Sequence, residues 1–285
     1  MMPSRRGFIR ALALALPAAG CSSLSSLPSL LVRSVSVKAG ATRPFSLLHA
    51  SDSHIARIDR RDGEELRAFA EVRAHIGREL GEHYLDEALE LARKRRLVML
   101  HTGDFMDYAS AANLERAERT VAADDVLAVV GNHEFWSDAE HVETEDRKLP
   151  TIARFAATWN GIPASVHELN GVCFFLFDNS FGRVSAETAA AFEEVAARGL
   201  PIVMACHVPL WAPGFKSNAV CGKPRGRRTD ATTLAFVERV RRESLVKAVL
   251  CGHLHAYREF DFSPTAREYV AGALFAGECT EIAFA

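Results

Sequence analysis

The chain has 285 residues, 48% of them hydrophobic and 25% charged, with a formal charge of −2 at pH 7. That balance excludes disorder and collagen-like repeats, and it leaves no global basic field to draw the chain onto nucleic acid. No apolar run approaches the roughly 18 residues needed to span a bilayer, so an integral membrane protein is excluded and the length suits one large domain with a real core.

The first 21 residues have the layout of an export signal. Arg5 and Arg6 give a basic start, Ala11 to Leu16 a short apolar stretch, and Ala18, Ala19 and Gly20 small residues before Cys21. The paired arginines resemble a twin-arginine signal. Ala19-Gly20-Cys21 resembles a lipoprotein box, although Ala18 stands where such boxes usually have Leu. An exported protein of the periplasm or cell envelope is expected, with Cys21 as its lipid anchor to the membrane. Residues 1–20 carry three Arg and no acid, so their removal takes the charge from −2 to −5. Residues 22–43 are Ser-rich with Pro28 and Gly40 and read as a tether followed by entry into the fold. Residues 44–285 read as one domain. Twin-arginine export carries folded proteins, which suits a metal loaded in the cytosol.

Short, nearly continuous apolar runs then recur at Phe45 to Ala50, Leu97 to Thr102, Val126 to Val130, Val172 to Phe177, Ile202 to Cys206 and Ala248 to Cys251. Such runs are strands covered on both faces. Between them the spacing predicts a helix over Glu64 to Arg95, broken at Gly77 or Gly81. It predicts a second over Glu187 to Arg198, capped by Ser185, and a third over Thr232 to Glu243, capped by Asp230. Strand and helix in alternation argue for an α/β fold with a layered core. Five Cys follow Cys21, an odd number. Cys206 and Cys251 lie in apolar runs and read as buried free thiols, and no Cys cluster suggests structural zinc.

Five of the strands run into a polar turn. In chain order the turns are Asp52-Ser53-His54, Gly103-Asp104-Phe105-Met106-Asp107, Gly131-Asn132-His133-Glu134, His207, and Gly252-His253-Leu254-His255. Ligands of α/β sheets bind at the carboxyl ends of strands, so these distant residues should gather at one edge. Carboxylates, imidazoles and an amide, without thiolates, suit divalent manganese, zinc or iron. Seven candidate ligands exceed the three protein ligands of a catalytic zinc. They suit two ions roughly 3.5–4 Å apart, which clamp the oxygens of an in-line displacement at phosphorus and make hydroxide available near neutral pH.

This ordered set closely resembles the calcineurin-like metallophosphoesterase superfamily, over roughly residues 45–272. The resemblance implies a two-sheet β-sandwich flanked by helices, the four-layer fold of that superfamily, and two divalent metal ions as cofactors. Asp52, His54 and His255 would bind the first ion. Asn132, His207 and His253 would bind the second, and Asp104 would bridge both. His133 would donate a proton to the leaving oxygen as general acid, and Glu134 would orient a neighbour. The implied activity is hydrolysis of a small phosphorylated substrate by an activated water.

Departures from relatives narrow the class. Purple acid phosphatases have a Tyr ligand where Asp107 stands, and calcineurin-type protein phosphatases continue with Arg-Gly where Tyr108-Ala109 follows. The repair-nuclease branch usually has His at Asp107. The pattern is more similar to bacterial phosphodiesterase branches, including class III cyclic nucleotide phosphodiesterases, so a phosphodiester is the expected substrate. The alternatives are a phosphomonoesterase or nucleotidase, and a non-catalytic exported lipoprotein that binds without turnover. Intact ligands favour the enzyme. Lys216, Lys223, Arg225, Arg227 and Arg228 read as a solvated loop, or as a basic rim for phosphate. Trp136 and Trp211 read either as core aromatics or as a platform for a base or lipid. His49 and His101 read as strand residues.

Overall fold

The computed structural model describes residues 28–285 apart from 74–79, 124, 138–142, 156–158, 160, 216–218 and 221–229. The export signal, Cys221 and the basic segment of Lys216, Lys223, Arg225, Arg227 and Arg228 lie outside the described residues. No described helix is long and apolar enough to cross a membrane.

The first strand, β1 (Leu31–Val37), is followed by β2 (Phe45–Ala50), α1 (Glu64–Arg73), α2 (Leu80–Arg95), β3 (Val98–Thr102), α3 (Ala111–Val121), β4 (Val126–Val129) and α4 (Glu145–Phe155). Then come β5 (Ala164–Leu169), β6 (Val172–Phe177), α5 (Ala186–Ala197), β7 (Ile202–Ala205), α6 (Ala231–Arg242), β8 (Val246–Cys251), β9 (Arg258–Asp261), β10 (Arg267–Val270) and β11 (Glu278–Phe284). One sheet has the order β1-β11-β2-β3-β4 and the other β5-β6-β7-β8-β10-β9. Strands β2, β3 and β4 are parallel, as are β6, β7, β8 and β10.

The core follows the period-2 alternation of strands. Leu47, Leu100, Val172, Phe174, Leu176, Ala205, Leu250 and Phe284 fill the space between the sheets. Their chain neighbours face outward. Leu48 and Met99 pack with Leu85, Ala88 and Leu89 of α2. Phe175 and Phe177 pack with Phe192 of α5 and Phe236 of α6. The result is helices, sheet, sheet, helices, the α/β two-sheet architecture expected. Ser185 and Asp230 cap α5 and α6 as anticipated, accepting from the Thr188 and Thr233 amides.

Two expectations need correction. The stretch 22–43 is not all tether: β1 pairs in parallel with β11 from Leu31↔Glu278 to Val37↔Phe284, so the fold begins well before residue 44. Its sequence alternates polar and apolar residues, as an edge strand covered on one face does. The stretch 64–95 forms two helices, α1 and α2, as expected; Gly77 lies outside the described residues, and Gly81 does not lie between the two helices. It sits in the first turn of α2, where a Cβ would lie 2.1 Å from the Ser53 carbonyl. The missing side chain lets α2 rest on the turn that carries Asp52 and His54.

Candidate metal centre

Both sheets contribute to one site. Strands β2, β3 and β4 deliver Asp52, His54, Asp104, Asn132 and His133; β7 and β8 of the other sheet deliver His207, His253 and His255. The turns after β2 and β3 stay paired beyond their strands, with Asp52 N–H on the Gly103 carbonyl at 3.0 Å and His54 N–H on the Asp104 carbonyl at 3.1 Å. Asp52, His54, Asp104, His253 and His255 all have positive φ, from 47° to 72°. Non-glycine residues rarely adopt that region, and each costs of order 1–3 kcal/mol. The strain is concentrated on the groups that converge.

Among the described residues three groups of potential metal-ligating atoms each span no more than 4.8 Å: His54, Asp107 and His133 form one at the edge of the site, and the two that share a carboxylate are Asp52, His54, Asp104 and His255, and Asp104, His207 and His253. Asp104 belongs to both. Its Oδ2 lies 3.2 Å from His207 Nε2 and 3.6 Å from His54 Nε2, while its Oδ1 accepts the His133 amide at 3.0 Å. Asp52 Oδ1 lies 3.2 Å from His255 Nε2. His54 and His255 oppose ring nitrogens at 3.1 Å, and His207 and His253 do so at 3.2 Å. Asn132 Oδ1 is buried without a hydrogen-bond partner, as is Asp52 Oδ1. Buried acceptors left unpaired are costly, and lone pairs converging without donors are what a cation resolves. The residues therefore fit two divalent ions, one in each group that holds Asp104, with Asn132 completing the second.

The surroundings fix which atom of each ligand faces the site. His207 Nδ1–H donates to the Thr102 carbonyl at 2.8 Å, turning Nε2 inward. His54 Nδ1–H donates to Asp107 Oδ1 at 3.0 Å, the carboxylate–imidazole arrangement that sets a ligand's tautomer. Glu134, fully buried, accepts the backbone amides of Asp104, Phe105, Met106 and Gly131 and so holds the bridging turn. Asn179, at the end of β6, accepts the His207 and Val208 amides through Oδ1. Gly131 has no room for a side chain, because a Cβ there would meet Asp104 Oδ1 at 2.2 Å.

The electrostatics agree. Burial would raise the Asp52 carboxyl, but the His255 and His54 imidazoles hold it well below the usual carboxylate range. Burial opposes a charge on His54, yet Asp107, Asp52 and Asp104 push it up to about 10. Asp104 likewise outweighs burial at His207 and brings it to about 9. His253 is driven down to about 3 by burial and by His207. Burial also lowers His133, against the pull of Asp104. The carboxylates make a buried negative centre that calls for positive charge.

A family model of the calcineurin-like phosphoesterases matches residues 45–257. The chain belongs to that family. Its members are phosphoester hydrolases that depend on two metal ions. No curated protein matches the chain in sequence. Among solved structures, a dimetal phosphatase from Danio rerio is similar in fold, with a TM-score of 0.52 and 15% identity over 81% of this chain and 88% of that one. GAP50, the anchor in the inner membrane complex of Plasmodium, gives a TM-score of 0.48 at 9% identity, over 81% of this chain and 72% of that one. A 5′-nucleotidase from Candida albicans gives 0.43 at 14%, over 87% of this chain and 47% of that one.

Other residues of the phosphoesterase take their places around this centre. His49 and His101 are buried behind it, on Thr102 Oγ1 at 2.9 Å and Ser53 Oγ at 2.6 Å, and burial takes both down to about 3. The Trp136 and His133 rings lie with centroids 3.5 Å apart, tilted by 37° to each other, and Trp211 packs under the Arg241 guanidinium at 4.0 Å. Cys206 and Cys251 are free and buried. Two partners escaped the sequence reading. Arg73 lies against Asp107. Glu268, buried in β10, accepts the Leu210 and Trp211 amides of the turn after His207. Neither sits in a motif.

Proposed function

We propose that this phosphoesterase hydrolyses phosphodiesters. The observation that carries the reading is the pair of ligand groups sharing Asp104 with His133 at their margin. Asp52, His54, Asp104 and His255 would hold one divalent ion, and Asp104, Asn132, His207 and His253 the other; bound there, the ions supply charge for the phosphoryl oxygens and a water of lowered pKa. His133 Nδ1–H is fixed on the Asp107 carbonyl at 2.9 Å, and Nε2 lies 3.8 Å from Asp104 Oδ2. With the ring protonated at both nitrogens, Nε2 can from that position pass its proton to the leaving oxygen, and the neutral ring keeps the Nδ1–H bond. Asp104 holds the His133 amide, so the acid and the bridging ligand share one frame.

The charge pattern supports a diester. A monoester dianion carries one more negative charge than a diester. The cation that protein phosphatases place after the position of Asp107 is replaced by Tyr108, which is buried. Arg73, which reaches the site, has its fork on Asp107. The substrate would be small and met outside the cytosol, in keeping with the export signal read in residues 1–21.

The test uses the protein stripped of metal and reconstituted with manganese or zinc, on bis-p-nitrophenyl phosphate and p-nitrophenyl phosphate. A metal-dependent preference for the diester is expected. A monoester preference would replace this reading with a phosphomonoesterase or nucleotidase. In the His133→Ala variant, kcat should drop by about 10²–10⁴-fold with bound metal unchanged.

A further inference from the structure

Asp107 lies at the margin of the two ligand groups and links histidines of different roles. Its Oδ1 accepts from His54 Nδ1 at 3.0 Å and lies 3.3 Å from His133 Nδ1, whose N–H is bonded to the backbone carbonyl of the same Asp107 at 2.9 Å. A carboxylate held only through one oxygen remains free to swing about its own axis. Arg73 removes that freedom: Nε donates to Oδ2 at 2.6 Å and Nη2 donates to Oδ1, a bidentate fork. Arg73 is the last residue of α1, and its side chain is 16% exposed. The guanidinium also lies 5.3 Å from the centroid of the Trp136 ring, and the Trp136 ring, tilted by 37°, lies against the His133 ring with centroids 3.5 Å apart. The contacts close on themselves, from Arg73 through Asp107 to His133 and back through Trp136.

We infer that Arg73 is a positioning residue for phosphoester hydrolysis, holding the His133 ring on two sides: through Asp107 at its Nδ1 edge and through the tilted Trp136 ring that lies against it. This rests on the reading of His133 as the acid that protonates the leaving oxygen. An ordinary ion pair would add stability alone. This one reaches the proton donor by two routes, and a displacement of about 1 Å in such a group can cost about a hundredfold in rate. Lysine could not replace it, since an ammonium offers neither the planar fork nor the stacking face.

General acid help matters more as the leaving group worsens. The experiment therefore compares p-nitrophenyl and phenyl esters of the same phosphoryl group, in the full chain at saturating manganese, for wild type, Arg73→Met and Arg73→Lys. Arg73→Met should lose about tenfold in kcat on the p-nitrophenyl ester and about a hundredfold on the phenyl ester, with KM little changed and Arg73→Lys no better than intermediate. A second readout needs neither metal nor turnover. In metal-free protein labelled with 15N-histidine, the His133 Nδ1–H proton should exchange with water at least about tenfold faster in Arg73→Met. The His207 Nδ1–H proton, bonded to Thr102, should not change, and it reports that the variant is folded. Equal losses on the two esters with an unaltered His133 proton would overturn the inference and leave Arg73 as a strut for α1. Should Arg73→Met not fold, the same two comparisons on Arg73→Lys decide. If wild type with bound manganese hydrolyses neither ester, the phosphoester reading fails, while the proton exchange still decides whether Arg73 orders His133.

Discussion

Asp104 is the residue on which both ligand groups depend, because its two carboxylate oxygens serve different ends. Oδ2 faces the histidines and Oδ1 holds the His133 amide. In Asp104→Asn, an amide nitrogen must replace one of them. Metal stoichiometry measured on the purified variant should fall below one ion per chain and turnover should vanish with it; activity near wild type would sink the shared-ligand account. Behind the site, His49 and His101 are buried and held neutral by desolvation, down to about 3 against an ordinary 6.5. A base with a depressed folded pKa binds its proton in the unfolded chain first. Stability is thus complete above about 6.5 and is lost as pH falls toward 3, by about 1.4 kcal/mol per pH unit for each histidine. Urea denaturation of metal-free protein from pH 7 to 4 should show that slope, and His49→Gln/His101→Gln should flatten it whatever its stability at pH 7.

Among the elements, α2 has an office that helix propensity would miss. Alanine is the better helix former by about 1 kcal/mol, so Gly81→Ala on an isolated helix would stabilise. Here the new Cβ would collide with the Ser53 carbonyl at 2.1 Å. The variant should lose about 1–3 kcal/mol in urea titration, and manganese binding should weaken because the turn of Asp52 and His54 must shift. Unchanged metal affinity would show that α2 does not brace the turn. The strands that carry candidate ligands were legible because they are buried on both faces, which leaves an unbroken apolar signal such as Ile-Val-Met-Ala in β7. The candidate metal ligands were legible because each motif is local. Strands β1 and β5, half-exposed at sheet edges, lack the unbroken apolar run that marks the buried strands. Arg73 and Glu268 act on residues 34 and 57–58 positions away, on Asp107 and on Leu210 and Trp211, and no spacing rule connects partners joined only by the fold.

For the whole molecule, the ends of the described chain are structurally coupled. β11 sits between β1 and β2, so the last strand is interior to its sheet and the first strand covers its flank. Removing residues 1–30 should leave thermal stability unchanged within a few degrees. Removing residues 1–37 would strip β1, bare the β11 edge along Glu278–Phe284 and invite edge-to-edge association. Light scattering on the two truncations separates the cases, and a monodisperse 38–285 chain would show that β1 is dispensable.

The left-handed backbone at Asp52, His54, Asp104, His253 and His255 has a kinetic meaning. These conformations are imposed by folding, so the cost of arranging the ligands is met before any ion arrives. Ion capture then requires little rearrangement of the chain. Its speed should then follow how fast an incoming ion sheds its own water shell, and manganese and zinc should be told apart at the entrance by hydration chemistry rather than by the shape of the cradle.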